Sequence, residues 1–155
     1  MKTGEKIITL FSTGFYTGYF PIAPATFSTL TLGVVFYLLI SHLNTYIYGL
    51  ITLILFFPAV WLSDKSEKIF NKKDCGYIVI DELVGFLVTM FLVPFSWMNI
   101  VLGFFFFRFF DIVKPPPANF FNNRKKGGLD VVLDDVIAGI YSNLLLQVVY
   151  YWFLN

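Results

Sequence analysis

The sequence predicts an all-α fold, an integral membrane bundle of short hydrophobic helices that forms one domain over residues 1–155. The chain is 57% hydrophobic and 14% charged, whereas soluble domains are about 45–50% apolar and about 25% charged. The charged residues are also segregated, since residues 7–63, 83–107 and 136–155 contain no Asp, Glu, Lys or Arg. We therefore expect about four to five membrane segments, with an interfacial or re-entrant segment at the N-terminus.

The first apolar stretch predicts a helical hairpin. Residues 27–43 and 46–62 each approach the roughly 20 residues that span a bilayer. Asn44 and Thr45 form a short polar tip between them.

The second apolar stretch repeats this pattern with shorter arms. Residues 79–95 and 97–110 meet near Pro94. The alternatives are a single crossing by residues 83–107, or several helices that enter one leaflet only. Residues 132–154 predict the last span.

The basic residues orient these segments. All 11 Lys and Arg residues lie away from the two hairpin tips, and Lys and Arg concentrate on the cytoplasmic side of membrane proteins. The acidic residues fall on the same side. We therefore expect a multi-pass protein of the cell membrane whose active face is cytoplasmic.

Composition excludes several kinds of partner and site. A net charge of +1, without a basic stripe, argues against nucleic acid as a partner. Cys75 is the only cysteine, so neither an internal disulfide nor a zinc cluster is expected. His42 is the only histidine and lies at the predicted extracytoplasmic tip, which excludes a phosphohistidine mechanism. The oligomeric state stays open, a homo-oligomer included.

Two polar clusters precede apolar helices. Thr26 and Ser28 end a segment rich in Gly and Pro, where they predict either an anion site or an ordinary N-cap. Asp81 and Glu82 open the second hairpin. They either complement the helix dipole or mark a functional site, because ionisable groups at membrane depth are costly.

A third cluster ends the second hairpin. Arg108, Asp111 and Lys114 are three residues apart and so share one helical face, as a structural ion ladder or as part of a site.

A fourth cluster opens the last span. Asp134 and Asp135 follow Asp130 by one turn, which gathers carboxylates where a hard cation could bind. The preceding Arg124, Lys125 and Lys126 are typical of a contact with anionic lipid, and for Lys125 and Lys126 substrate binding is an equal alternative.

Acids from three segments beside Arg and Lys indicate oxygen ligands for Mg²⁺ next to cationic groups for a phosphate. Membrane phosphoryl chemistry is the class that this combination favours, with water or a carboxylate as the nucleophile.

The order and spacing of these blocks resemble the phosphatidylglycerophosphatase A family. The matching residues are Gly14, Gly18, Pro21, Ala23, Pro24, Thr26, Ser28, Ile78, Val79, Asp81, Glu82, Gly85, Phe107, Arg108, Asp111, Lys114, Pro115, Pro117, Arg124, Gly127, Gly128, Asp134, Asp135, Ala138 and Gly139.

The resemblance implies a Mg²⁺-dependent lipid phosphatase that converts phosphatidylglycerophosphate, a phospholipid of the membrane, to phosphatidylglycerol and phosphate. On the basis of this resemblance, our hypothesis assigns the site residues to two groups. The first group binds the metal or activates water and comprises Asp81, Glu82, Asp134 and Asp135. Asp111 is a further ligand or an orienting base, and these five residues form the catalytic set. Phosphate binding falls to Arg108, Lys114 and Arg124, helped by Thr26 and Ser28.

Two alternatives stay open. In a small membrane interaction protein the charged clusters would pair with one another as contacts between helices. A phosphotransferase acting on lipid headgroups would use the same metal site and would need a second pocket, for a nucleotide or an alcohol.

Overall fold

The computed structural model describes residues 2–73, 75–124 and 127–154, so Lys125 and Lys126 lie outside the described residues. The described residues contain helices and no strand, which confirms the all-α prediction. The α-helices are α1 (Thr3–Ser12), α2 (Pro24–Ser28), α3 (Val34–Ile40), α4 (Thr45–Phe70), α5 (Ile80–Thr89), α6 (Trp97–Val113), α7 (Ala118–Arg124) and α8 (Gly128–Val149). A π-helical turn, Thr29–Gly33, joins α2 to α3, so Pro24–Ile40 is one continuous apolar helix.

Local sequence explains where several helices begin. The Asn44 side chain accepts a hydrogen bond from the Tyr46 N–H at 2.9 Å and caps α4, and Ser96 caps α6 in the same way. Pro24 occupies the first turn of α2, where its missing N–H costs nothing. Thr26 and Ser28 therefore lie inside α2, and the expectation that one of them is its N-cap is wrong.

The helices α5 and α8 run side by side in the same direction, with α4 and α6 antiparallel to them. Asn143 of α8 donates hydrogen bonds to the Thr89 and Phe91 carbonyls at 2.8 and 2.7 Å. A Cβ atom on Gly139 would lie 2.4 Å from the Gly85 carbonyl oxygen, which shows how closely α5 and α8 approach. The main core lies between these helices and includes Phe86, Phe107 and Leu146, none of them exposed.

Two helices of the described chain are long and apolar enough to cross a membrane, Thr45–Phe70 and Gly128–Phe153. The expected four to five spans are not confirmed, because α5 has 10 residues and reaches only about 15 Å of a hydrocarbon core that is about 30 Å thick. The alternative single crossing by residues 83–107 is wrong, since α5 ends at Thr89 and α6 begins at Trp97.

The outer surface is also typical of a membrane protein. Large apolar side chains such as Ile112, Leu39 and Trp152 are 72%, 62% and 81% exposed. Soluble monomers rarely expose large contiguous apolar patches, so these side chains and the two long apolar helices suggest a membrane protein.

Candidate active site

Three buried carboxylates converge where α6 and α8 meet. Asp111, Asp134 and Asp135 each offer an oxygen, and these oxygens all lie within 4.8 Å of one another. Asp111 comes from the last turn of α6, and the other two come from the second turn of α8. The sequence indicated these acids because they lie at the borders of the charge-free stretches, where we expected acids to face the headgroup layer.

Lys114 joins two of these carboxylates. Its Nζ lies 3.0 Å from Asp111 Oδ1 and also contacts Asp134 Oδ2. Lys114 adopts a left-handed conformation with φ of 47° and ends α6, and Pro115 follows, so the helix stops where the lysine faces α8. Burial alone would lower the pKa of Lys114, but the carboxylates of Asp111, Asp135 and Asp134 outweigh this and raise the pKa above its ordinary value.

Arg108 connects the acid pair of α5 to the same cluster. Its Nη1 donates to Glu82 Oε2 at 2.5 Å, and its Nη2 lies 2.9 Å from Asp111 Oδ2. Thr29 Oγ1 donates to the same Glu82 oxygen at 3.1 Å. One glutamate oxygen is thus held by a guanidinium from α6 and by a hydroxyl from the π-helical turn.

Asp81 and Glu82 are buried beside these groups. Burial raises the pKa of Glu82 to about 7, and the charge of Asp111 adds to this rise while Arg108 opposes it. Burial also raises the pKa of Asp81, and the neighbouring Glu82 charge raises it further. A carboxyl group with a pKa near neutrality can both take up and release a proton under working conditions.

Two expected phosphate ligands, Arg124 and Ser28, have partners outside this cluster. Arg124 forms a bidentate ion pair with Asp130, with Nε 2.9 Å from both carboxylate oxygens. Ser28 is buried and hydrogen-bonded to Thr17 at 2.9 Å between their hydroxyl oxygens, and Thr26 lies half-buried within α2. The residues brought together are therefore Asp81, Glu82, Arg108, Asp111, Lys114, Asp134 and Asp135.

A model of the phosphatidylglycerophosphatase A family matches residues 10–150. The chain belongs to the phosphatidylglycerophosphatase A family. A phosphatidylglycerophosphatase A of Haemophilus influenzae is 34% identical over 148 residues, which cover 95% of this chain and 91% of that protein. The Escherichia coli phosphatidylglycerophosphatase A is 31% identical over 134 residues, covering 86% of this chain and 77% of that protein.

A third relative carries a different name. A Bacteroides thetaiotaomicron protein, named as a proposed phosphatidylinositol-3-phosphatase, is 32% identical over 154 residues, covering 96% of both chains. No solved structure matches the chain. The range matched by the phosphatidylglycerophosphatase A family contains every member of the acidic and basic cluster.

Thr29 also contacts the acidic and basic cluster of this phosphatidylglycerophosphatase A family member, and the sequence did not predict it. Its neighbours Thr26 and Ser28 were favoured because they precede an apolar run, but Thr29 opens the π-helical turn and so contacts Glu82. Such turns are frequent at functional sites. The sequence offers no signal for the turn, although Thr29 belongs to the same run of hydroxyl residues.

Proposed function

We propose that the chain is a Mg²⁺-dependent phosphatidylglycerophosphatase, which hydrolyses phosphatidylglycerophosphate to phosphatidylglycerol and phosphate. Family membership and the names of two relatives support this activity. The observation that carries it is the convergence of Asp111, Asp134 and Asp135 within 4.8 Å, beside the cations of Lys114 and Arg108.

These three aspartates fit a magnesium ion. Mg²⁺ prefers a few carboxylate oxygens, completed by water and phosphate. Asp135 Oδ2 is buried and accepts no hydrogen bond from the residues that the structure describes, so it suits a ligand. We assign Asp111, Asp134 and Asp135 to the metal, which when bound would polarise the phosphoryl group and offset its charge.

The remaining groups would bind the phosphate and move protons. Arg108 and Lys114 supply the guanidinium and ammonium donors for the phosphate oxygens. A bond forms between water oxygen and phosphorus while the bond from phosphorus to the glycerol oxygen breaks. Glu82, with Asp81 beside it, takes the proton released by the water, and the leaving glycerol oxygen receives it.

We propose further that the chain crosses the membrane more than once and presents this site at the cytoplasmic headgroup layer. The cluster lies at the start of α8, one of the two apolar helices long enough to span. Lys72 and Lys73 follow the end of the other, and basic residues favour the cytoplasmic side.

A phosphoinositide 3-phosphatase is the second candidate, because the Bacteroides relative carries that name. The test is phosphate release by the purified protein in detergent, with Mg²⁺, from phosphatidylglycerophosphate, phosphatidylinositol 3-phosphate and phosphatidic acid. We expect the highest kcat/KM for phosphatidylglycerophosphate. Faster hydrolysis of phosphatidylinositol 3-phosphate would favour the second candidate, and release from none of the three would contradict both.

A further inference from the structure

An apolar groove of about 240 Å³ runs between α4, α5 and α8, and nothing in the proposed chemistry uses it. We refer to it as the α4–α5–α8 groove. Its walls include Gly49, Thr52 and Phe56 of α4, Val84 and Val88 of α5, and Val136 of α8.

The groove begins beside the acids of the site. On α5, Val84 and Val88 follow Asp81 by three and seven residues, so they lie on the same helical face as this acid. On α8, Val136 directly follows Asp135. The end of the groove formed by Val84 and Val136 therefore lies within about one helical turn of the acids Asp81 and Asp135.

The groove is open toward the region where lipid would lie. Leu53, which also lines it, is 58% exposed. Only 17% of the apolar stretch of α4 is buried inside the protein. A chain could therefore enter the groove sideways from a surrounding bilayer.

The lining of the groove presents almost no hydrogen-bonding groups to an occupant. Thr52 is its hydroxyl residue, and this hydroxyl donates to the Tyr48 carbonyl at 3.0 Å, which leaves the methyl group for the groove. Gly49 contributes no side chain. From Gly49 to Phe56 the groove extends about 10 Å along α4, at 1.5 Å per residue.

We propose that the α4–α5–α8 groove binds an acyl chain of the lipid substrate while its phosphate lies among the acids and cations. This inference rests on the proposed function for the headgroup, but the groove itself can be tested separately. Lipid tails are as apolar as the groove, so the gain is in positioning the substrate rather than in removing it from water.

The first test narrows the groove at its exposed rim. Leu53→Trp should lower kcat/KM for dipalmitoyl phosphatidylglycerophosphate by about tenfold, which corresponds to about 1.4 kcal/mol of transition-state binding. Glycerophosphoglycerophosphate, the same headgroup without acyl chains, should change less than about twofold. Ile54→Trp is the matched control, since Ile54 is 56% exposed on the same helix and points away from the groove. Equal losses for both substrates, or equal losses in the control variant, would overturn the proposal.

The second test does not depend on turnover. Phosphatidylglycerophosphate with a diazirine on one acyl chain is photolysed with the wild-type protein in EDTA, and the labelled peptides are identified by mass spectrometry. We expect labels on groove residues of α4 and α5, reduced by Leu53→Trp. Equal labelling of outward residues of α6, such as Phe105 and Phe109, would overturn the inference. Groove labelling without phosphate release from either substrate would support the groove and contradict only the proposed function.

Discussion

Lys114 shows how single residues hold the cluster of acids together. Its ammonium group contacts Asp111 and Asp134, and Arg108 neutralises Glu82 and Asp111 from the other side. Removing one partner of a buried ion pair leaves an uncompensated charge and costs about 3–5 kcal/mol. The two cations therefore offset the charge of the acids that converge here.

The sequence was informative about individual residues at this site. The acids and cations could be selected because they stand at the borders of apolar stretches, where simple solvation is a poor explanation. The sequence could not show that Asp111 lies beside Asp134 and Asp135, nor that Arg124 pairs with Asp130 instead of joining the cluster. Both depend on how α6 and α7 pack on α8, which spacing along the chain does not reveal.

The titration of Glu82 predicts a pH dependence. Its pKa is raised to about 7 by burial, and only the ionised form can accept the proton from water. We expect kcat/KM at saturating Mg²⁺ to fall about tenfold per pH unit below about pH 7 and to level off above it. Glu82→Gln should lower the maximal kcat/KM and abolish its decrease below about pH 7. A wild-type rate that stays constant from pH 5 to 8 would contradict the role of Glu82.

At the scale of helices, the crossing of α5 and α8 aligns the two acid pairs. Glu82 lies close to one turn before Gly85, and Asp135 lies one turn before Gly139, so the close contact of the two glycines sets the acids side by side. The sequence shows both glycines but not that they face each other, because a helix pair is specified by packing over its whole length.

Gly139→Ala is expected to separate these helices. The new Cβ would lie 2.4 Å from the Gly85 carbonyl oxygen, and such overpacking costs about 1–3 kcal/mol. We expect the thermal midpoint in detergent to fall by roughly 3–10 °C, with a loss of phosphatase activity. Gly4→Ala is the control, because a Cβ there meets nothing within 4 Å. Unchanged stability and activity in Gly139→Ala would contradict the proposed importance of this crossing.

At the scale of the whole molecule, the sequence predicted the class of fold better than the number of spans. Charge-free blocks identified the apolar helices, and Pro94 indicated the break in the second block, but the sequence did not reveal that α5 ends as early as Thr89. Short helices that reach only part of the way across a bilayer have the same composition as full spans. Their length becomes visible only when the helix ends are known.

Thiol labelling tests the orientation of the molecule. With Cys75 replaced by Ser, single cysteines are placed at His42 and Lys72, both exposed, near opposite ends of α4. In intact cells an impermeant maleimide should label His42→Cys directly and Lys72→Cys only after permeabilisation, because basic residues favour the cytoplasmic side. Labelling of Lys72→Cys in intact cells would reverse the orientation and place the site outside.

The most direct test of the account is Mg²⁺-dependent phosphate release from phosphatidylglycerophosphate by the wild type, Asp135→Asn and Asp64→Asn. Asp64 is the control, since its carboxylate pairs with Lys68 and the Gly128 backbone rather than with the cluster, and Asn keeps an oxygen that can accept from Gly128. We expect EDTA to abolish release by the wild type, Asp135→Asn to reduce kcat/KM by about 10²-fold or more, and Asp64→Asn to retain activity. Undiminished release by folded Asp135→Asn, or by the wild type in EDTA, would contradict the assignment of this cluster as a magnesium-dependent phosphatase site.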